Sequence, residues 1–216
     1  LNPKDLELWL ILSEAQIANK QYQQALNSIN KAQKINSNIS KIYFAKSNIY
    51  LKIKEEKKAK LALEKGLKIE PDNYRAFFQL GNILLMEKNY LRAINLFDKS
   101  LKIKPDFWQA INNKGLAYFE KNNINLSIKL FEEAISIEKN AEPLLGLATC
   151  LRIENTELAL QLAKKALHKD PNYVNYDFRK EQLWGEKLQT STEILLKNEK
   201  LQKDVILAKS KINTSS

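Results

Sequence analysis

Residues 71–105 read PDNYRAFFQLGNILLMEKNYLRAINLFDKSLKIKP, a stretch closed at both ends by proline. Between the prolines the apolar and small residues return every three or four positions. They do so first around Phe77, Leu80, Gly81 and Leu84, and again around Ala93, Phe97 and Ser100, with a polar turn at Lys88-Asn89-Tyr90. That spacing puts each set on one face of a helix, and the short turn suits two antiparallel helices. Proline cannot continue a helix, and Asp or Asn behind it can cap the next one. Asp72 and Asn73 follow Pro71, Asp106 follows Pro105 and Asn172 follows Pro171, so these are expected caps.

The punctuation is periodic. Pro71 and Pro105 lie 34 residues apart, a step of 68 back from Pro71 reaches Pro3, and the intermediate step falls on Ser37. Counting each unit from the third residue after its proline, position 4 holds Trp9, Tyr43, Phe77 and Ile111, and position 24 holds Ile29, Leu63, Phe97 and Phe131. Small residues fill position 8 (Ser13, Ser47, Gly81, Gly115), position 20 (Ala25, Ala59, Ala93, Ser127) and position 27 (Ala32, Gly66, Ser100, Ala134). Large residues facing small ones predict two meshed helices per unit. A fixed period of this length marks a stack of such units. With only five glycines and five prolines the chain is too poor in turns for an all-β fold.

These positions resemble the tetratricopeptide repeat, whose pattern is a large residue, a Leu-Gly pair and a Tyr in helix A, then Ala, Phe, Ala and Pro in helix B. The third unit matches best, at Phe77, Leu80, Gly81, Leu84, Ala93, Phe97, Ser100 and Pro105. The resemblance implies an all-α, right-handed α-solenoid of helical hairpins. Residues 1–173 are expected to form five units at about 6–39, 40–73, 74–107, 108–140 and 141–173. The fifth departs from the period: Pro105 to Pro171 is 66 residues, with one residue lost near Ala141 and one in the turn near Asn155. Residues 174–216 are expected to be C-terminal capping helices with a short polar tail: a longer helix through Phe178, Leu183, Trp184 and Leu188, then short ones at 193–196 and 205–208. The string Gln182-Leu183-Trp184-Gly185-Glu186-Lys187-Leu188 is similar to tails of cyanobacterial and plastid members.

The family binds ligands with positions 2, 5, 9, 12 and 13 of helix A. Carried onto this sequence, the resemblance implies a partner-binding groove at Lys41, Phe44, Asn48 and Lys52, at Arg75, Phe78 and Asn82, and at Gln109, Asn112 and Phe119. Phe44, Phe78 and Phe119 exceed what the repeat core needs. They suit apolar anchors, while Asn48 and Asn82 suit an extended backbone and the cations suit acidic groups. Packing between units is the competing role for the three rings. Position 5 is Leu10, Phe44 and Phe78, so the family's chaperone-tail clamp of Lys and Asn is incomplete.

The expected function is a non-enzymatic scaffold holding a protein or peptide, with assembly of a larger complex as one expected role, and with no cofactor and no metal. His168 is the only histidine and Cys150 the only cysteine, and no Gly-rich phosphate loop or metal-ligand spacing is present. The alternative is an RNA-binding helical repeat drawing on the net charge of +10. It is disfavoured because the cations are overwhelmingly lysine, with arginine only at 75, 92, 152 and 179. Phosphate sites favour the arginine fork, and related pentatricopeptide arrays have a period nearer 35. A monomer is expected. No apolar run is long enough to span a bilayer. Leu1-Asn2-Pro3 reads as the end of a preceding repeat, so an upstream segment (repeats, a signal or an anchor) is expected and localisation is left open. The tail resemblance points to a cytoplasmic or photosynthetic-membrane-associated setting.

Overall fold

The computed structural model describes residues 5–214, so Pro3 and its place in the period lie outside the described residues. Thirteen α-helices and two 3₁₀ turns make up the described chain, with no strand among the described residues. The helices are α1 (Leu6–Ala18), α2 (Tyr22–Ile35), α3 (Ser40–Lys52), α4 (Glu56–Ile69), α5 (Tyr74–Met86), α6 (Tyr90–Ile103), α7 (Trp108–Glu120) and α8 (Ile124–Ile137). There follow α9 (Ala141–Leu151), α10 (Thr156–Lys169), α11 (Tyr176–Glu181), α12 (Glu186–Leu196) and α13 (Gln202–Asn213). The 3₁₀ turns are Pro171–Val174 and Glu199–Leu201. Tertiary contacts divide the chain into two compact units, the first ending at Ile83 and the second beginning at Leu84.

In the first unit α1 pairs with α2 and α3 with α4. The predicted small positions are where the helices touch: Ser13, Ala25, Ala32, Ser47 and Ala59 are wholly buried, beneath Ile29 and Leu63. In the second unit α7 pairs with α8 and α9 with α10. There Ser127 Oγ donates to the Gly115 carbonyl at 2.9 Å, position 20 against position 8. A Cβ at Gly115 would stand 3.0 Å from the Phe131 ring, and the same ring reaches the bare Cα of Gly146. Each glycine is small because one aromatic needs the space.

The turn inside each of the first four hairpins is one motif used at the repeat period. Lys20, Lys54, Lys88 and Asn122 adopt positive φ of 58°, 58°, 58° and 62°. In each case that residue's N–H returns three residues and the next N–H returns five, as in Gln21 N to the Gln16 carbonyl at 2.8 Å and Asn123 N to that of Tyr118 at 2.9 Å. This is a Schellman closure, which satisfies the last carbonyls of helix A. Glycine favours that conformation, but three lysines and an asparagine hold it here. The fifth hairpin has no left-handed residue, and α9 spans only 11 residues, which is where the period loses a residue in the turn.

Two capping expectations are corrected. Asn73 accepts from Ala76 N at 2.9 Å as expected. Asp106 instead pairs with Lys104 at 3.0 Å, and the cap position of α7 is Phe107, which makes no side-chain cap hydrogen bond. Asn172 lies inside a 3₁₀ turn, and Asn175 caps α11 by accepting from Asp177 N at 2.8 Å. The expected long helix through Phe178 and Leu188 is also broken. Leu183 takes φ of 68°, closing α11 so that α12 sets off in a new direction.

Candidate functional site

In the first unit, the helix A positions expected to meet a partner lie on α1, α3 and the start of α5. Lys41 and Glu14 bridge α3 to α1 at 3.1 Å with side chains 61% and 55% exposed. That contact puts position 2 of α3 beside position 9 of α1. Lys52 and Arg75 are exposed, and Asn48, Phe78 and Asn82 are half-buried. The Arg75 guanidinium lies 5.3 Å from the Tyr74 ring centre. Phe44 is half-buried for a reason of its own: its ring covers Gly66, whose missing Cβ would sit 2.7 Å from Cδ1. Phe44 therefore packs α3 on α4 inside one hairpin through one edge of its ring, a role distinct from the packing between units weighed in the sequence.

The second unit revises the groove. Gln109 is half-buried in the first turn of α7, but Asn112 is wholly buried and Phe119 is 4% exposed. Neither lines an open surface, because α12 lies against α7 and α9. The start of α12 has Gly185 at its cap position and no cap side chain of its own. Glu120 supplies one from the end of α7. Its Oε1 accepts from Leu188 N at 3.0 Å, its Oε2 from Lys187 N at 3.4 Å, and its carbonyl from Lys187 Nζ at 2.7 Å. A carboxylate at a helix N-terminus satisfies orphan donors and meets the positive end of the dipole. Glu186 then pairs with Lys88 at 2.8 Å, and Thr149 and Thr192 join α9 to α12 at 2.9 Å.

A second carboxylate pins the other side. Glu142, buried on α9, accepts from Trp184 Nε1 at 3.1 Å. Asn112 and Tyr173 also hydrogen-bond it, yet burial outweighs all three and pushes its pKa up to about 7. Inside the tail, Arg179 is wholly buried. It donates to Gln189 Oε1 at 2.8 Å, to the Tyr173 carbonyl at 2.7 Å and to Glu193. The one sequence signal for this covering is α9 itself. Its stretch AEPLLGLATCL is apolar all round, and every residue from Ala141 to Cys150 is buried. A helix without a polar face must be covered on both sides.

The tail also meets the outer helix of the last hairpin. His168 on α10 reaches Asp204 on α13 at 2.8 Å, and Lys164 approaches the same carboxylate at 3.5 Å. Cys150 is buried against the Ser127 hydroxyl at 3.6 Å, and burial raises its thiol pKa to about 12. A thiol held protonated is a packing group and a poor nucleophile. Among the described residues, no group of three or more His, Cys, Asp or Glu side chains is placed to hold a metal ion. No described helix is long and apolar enough to cross a membrane.

Comparison with known proteins agrees with the hairpin geometry. Family models described as tetratricopeptide repeat match residues 6–39, 40–73, 74–107 and 109–140. No curated protein matches the chain in sequence. Among solved structures it is similar to YrrB, described as a tetratricopeptide repeat protein with an unusual peptide-binding site. That likeness has a TM-score of 0.64 at 20% identity, over 80% of this chain and 90% of that one. PilF of Pseudomonas aeruginosa is similar at a TM-score of 0.68 and 16% identity, over 92% and 95% of the two chains. MamA is similar at 0.65 and 18%, over 79% and 96%. Four matched repeats, with paired helices meshed at the family's own small and large positions in the first, second and fourth, place this chain in the tetratricopeptide repeat family, with its α-solenoid fold.

Proposed function

We propose that the chain is a non-enzymatic scaffold that binds a protein or peptide segment on the A-helix face of its first unit. The observation that carries the reading is the seating of α12 on α7 and α9. The chain already uses its A-helix face in the second unit to hold a helix, through a carboxylate and a buried aromatic. In the first unit the same positions keep charged and amide groups exposed or half-buried, at Lys41, Asn48, Lys52, Arg75 and Asn82. The Lys41–Glu14 pair is exposed and worth little, so an acidic group from a partner can replace Glu14. Phe78 and the free edge of Phe44 offer the apolar anchor. The expected ligand is an extended or helical segment with an apolar residue flanked by acidic ones.

The peptide-binding description of YrrB supports this reading, and the likeness to PilW, described as a type IV pilus biogenesis factor, supports a role in assembly. The test is selection from a displayed random-peptide library, followed by fluorescence polarisation on the folded variants. Phe78→Ala should weaken a selected acidic peptide by about 2 kcal/mol. The Lys52→Glu/Arg75→Glu double variant should mainly slow association, and Lys129→Glu should change nothing. Full affinity in both first-unit variants, or submicromolar sequence-selective RNA binding at physiological salt, would overturn the proposal.

A further inference from the structure

We propose that a phosphate group binds between α2, α3 and α4, where Lys46, Lys58 and Lys65 converge on a cavity of about 170 Å³ lined also by Gln33, Tyr43 and Tyr50. The repeat supplies an internal control, because each position has a counterpart 68 residues on. In the fourth hairpin the space is filled: Ile111, Leu130 and Ala134 form a cluster with Leu101 and Tyr118 packed against it. In the second hairpin Tyr43 stands for Ile111 and Ala62 for Leu130, and on the preceding α2 Gln33 stands for Leu101 of α6. Loss of the leucine volume opens the cavity, and the replacements line it with an amide and a hydroxyl.

The charges change in the same sense. Lys114, the counterpart of Lys46, is neutralised by Asp98 at 2.6 Å. The residue of α2 that corresponds to Asp98 is Asn30, and Lys65 stands where the fourth hairpin has Glu133. One cation with two carboxylates has become two cations with none. Among the described residues neither Lys46 nor Lys65 forms an ion pair. Lys58 pairs only with exposed Glu55, at 3.1 Å, and its ammonium lies 6.0 Å from the Tyr50 ring centre.

Hydrogen bonds fix the floor of the site. Tyr43 donates to the Ser37 carbonyl at 2.9 Å and accepts from Gln33 Nε2 at 3.3 Å, which turns Gln33 Oε1 towards the Lys46 ammonium. That bond uses one of three ammonium protons and leaves two for a ligand. Burial, then repulsion from Lys65, holds the Lys46 pKa below the ordinary lysine value, a cost an anion would remove. An ammonium binds phosphate as a point charge, without the bidentate match of the arginine fork, so the site relies on several lysines meeting at one cavity. The cavity is smaller than the ~300 Å³ at which pockets for whole small molecules begin. It therefore takes the phosphate end of a ligand, whether the free ion or a phosphorylated side chain.

The test is a chemical-shift titration of the ¹⁵N-labelled chain with inorganic phosphate and with O-phosphoserine, at constant ionic strength set by chloride. Saturable shifts should centre on Gln33, Tyr43, Lys46 and Lys65, and the two probes' relative affinities identify which source the site prefers. Asn30→Asp, which places at an exposed position the carboxylate that Asp98 supplies to Lys114, should weaken binding at least tenfold, as should Lys46→Met. Lys129→Met should leave it unchanged. If Lys46→Met fails to fold, Asn30→Asp decides alone. Unchanged affinity in Asn30→Asp, or shifts spread evenly over the surface lysines, would overturn the site.

Discussion

Replacing Gly185 by alanine tests how the tail is held. The backbone there has φ −76° and ψ 171°, which alanine adopts freely. On backbone grounds alone the substitution should stabilise by about 0.4–1 kcal/mol, through the unfolded chain. The surroundings oppose it. A Cβ at 185 would lie 2.6 Å from both Cγ and Oε1 of Glu120. The Glu120 side chain has little room to withdraw, since the residue is 6% exposed and its two oxygens cap Lys187 N and Leu188 N. Moving it breaks one good charge-assisted hydrogen bond of about 1.5–3 kcal/mol and a weaker one, with about 1–3 kcal/mol of overpacking besides. The expected net loss is about 2–5 kcal/mol. Urea unfolding followed by circular dichroism would measure it, and faster amide exchange at Lys187 and Leu188 would localise it. A Gly185→Ala protein as stable as wild type, with those amides still protected, would refute the claim that Glu120 is wedged against Gly185.

Three further outcomes follow from the same contacts. Glu142 titrates near 7 in the fold against about 4.5 unfolded. The folded state therefore binds its proton more tightly, and stability should fall as pH rises from about 4.5 to 7 and then level off, by about 3 kcal/mol in all. Glu142→Gln should flatten that dependence and stabilise the protein at pH 8; urea midpoints of both proteins at pH 5 and 8 would check this, and an unchanged slope would count against it. Lys54→Gly should raise stability by about 0.5–1 kcal/mol, because relief of about 1–2 kcal/mol of left-handed strain exceeds the entropy glycine adds to the unfolded chain; a lower melting temperature would contradict it. Ending the chain at Tyr173 should uncover Asn112, Phe119 and the outer face of α10, lowering the melting temperature and promoting self-association in light scattering. A monomeric fragment that melts like the full chain would show the tail to be dispensable.

The hairpins were legible in the sequence because repeat packing is local. Positions 8, 20, 24 and 27 meet within one unit, so a 34-residue period in residue size is a direct record of which atoms touch. The lost residues near Ala141 and Asn155 showed in the same count. The left-handed turns escaped notice because lysine occupies three of the four, and lysine carries no conformational mark as glycine would. The groove residues of the first unit followed from the same register, but the two roles of Phe44 did not, since they depend on the missing Cβ of Gly66 on the facing helix.

What the sequence by itself determined is thus the helices of the repeats and the faces they bury, all fixed by contacts between near neighbours in the chain. Tertiary structure alone decided where the tail goes. Leu188 meets Glu120 across 68 residues and Trp184 meets Glu142 across 42, and neither pair belongs to the repeat. Such contacts leave no period, because each is made once and depends on the path of the intervening chain. The same holds for Lys46 and Lys65, which line one cavity only because three helices meet there.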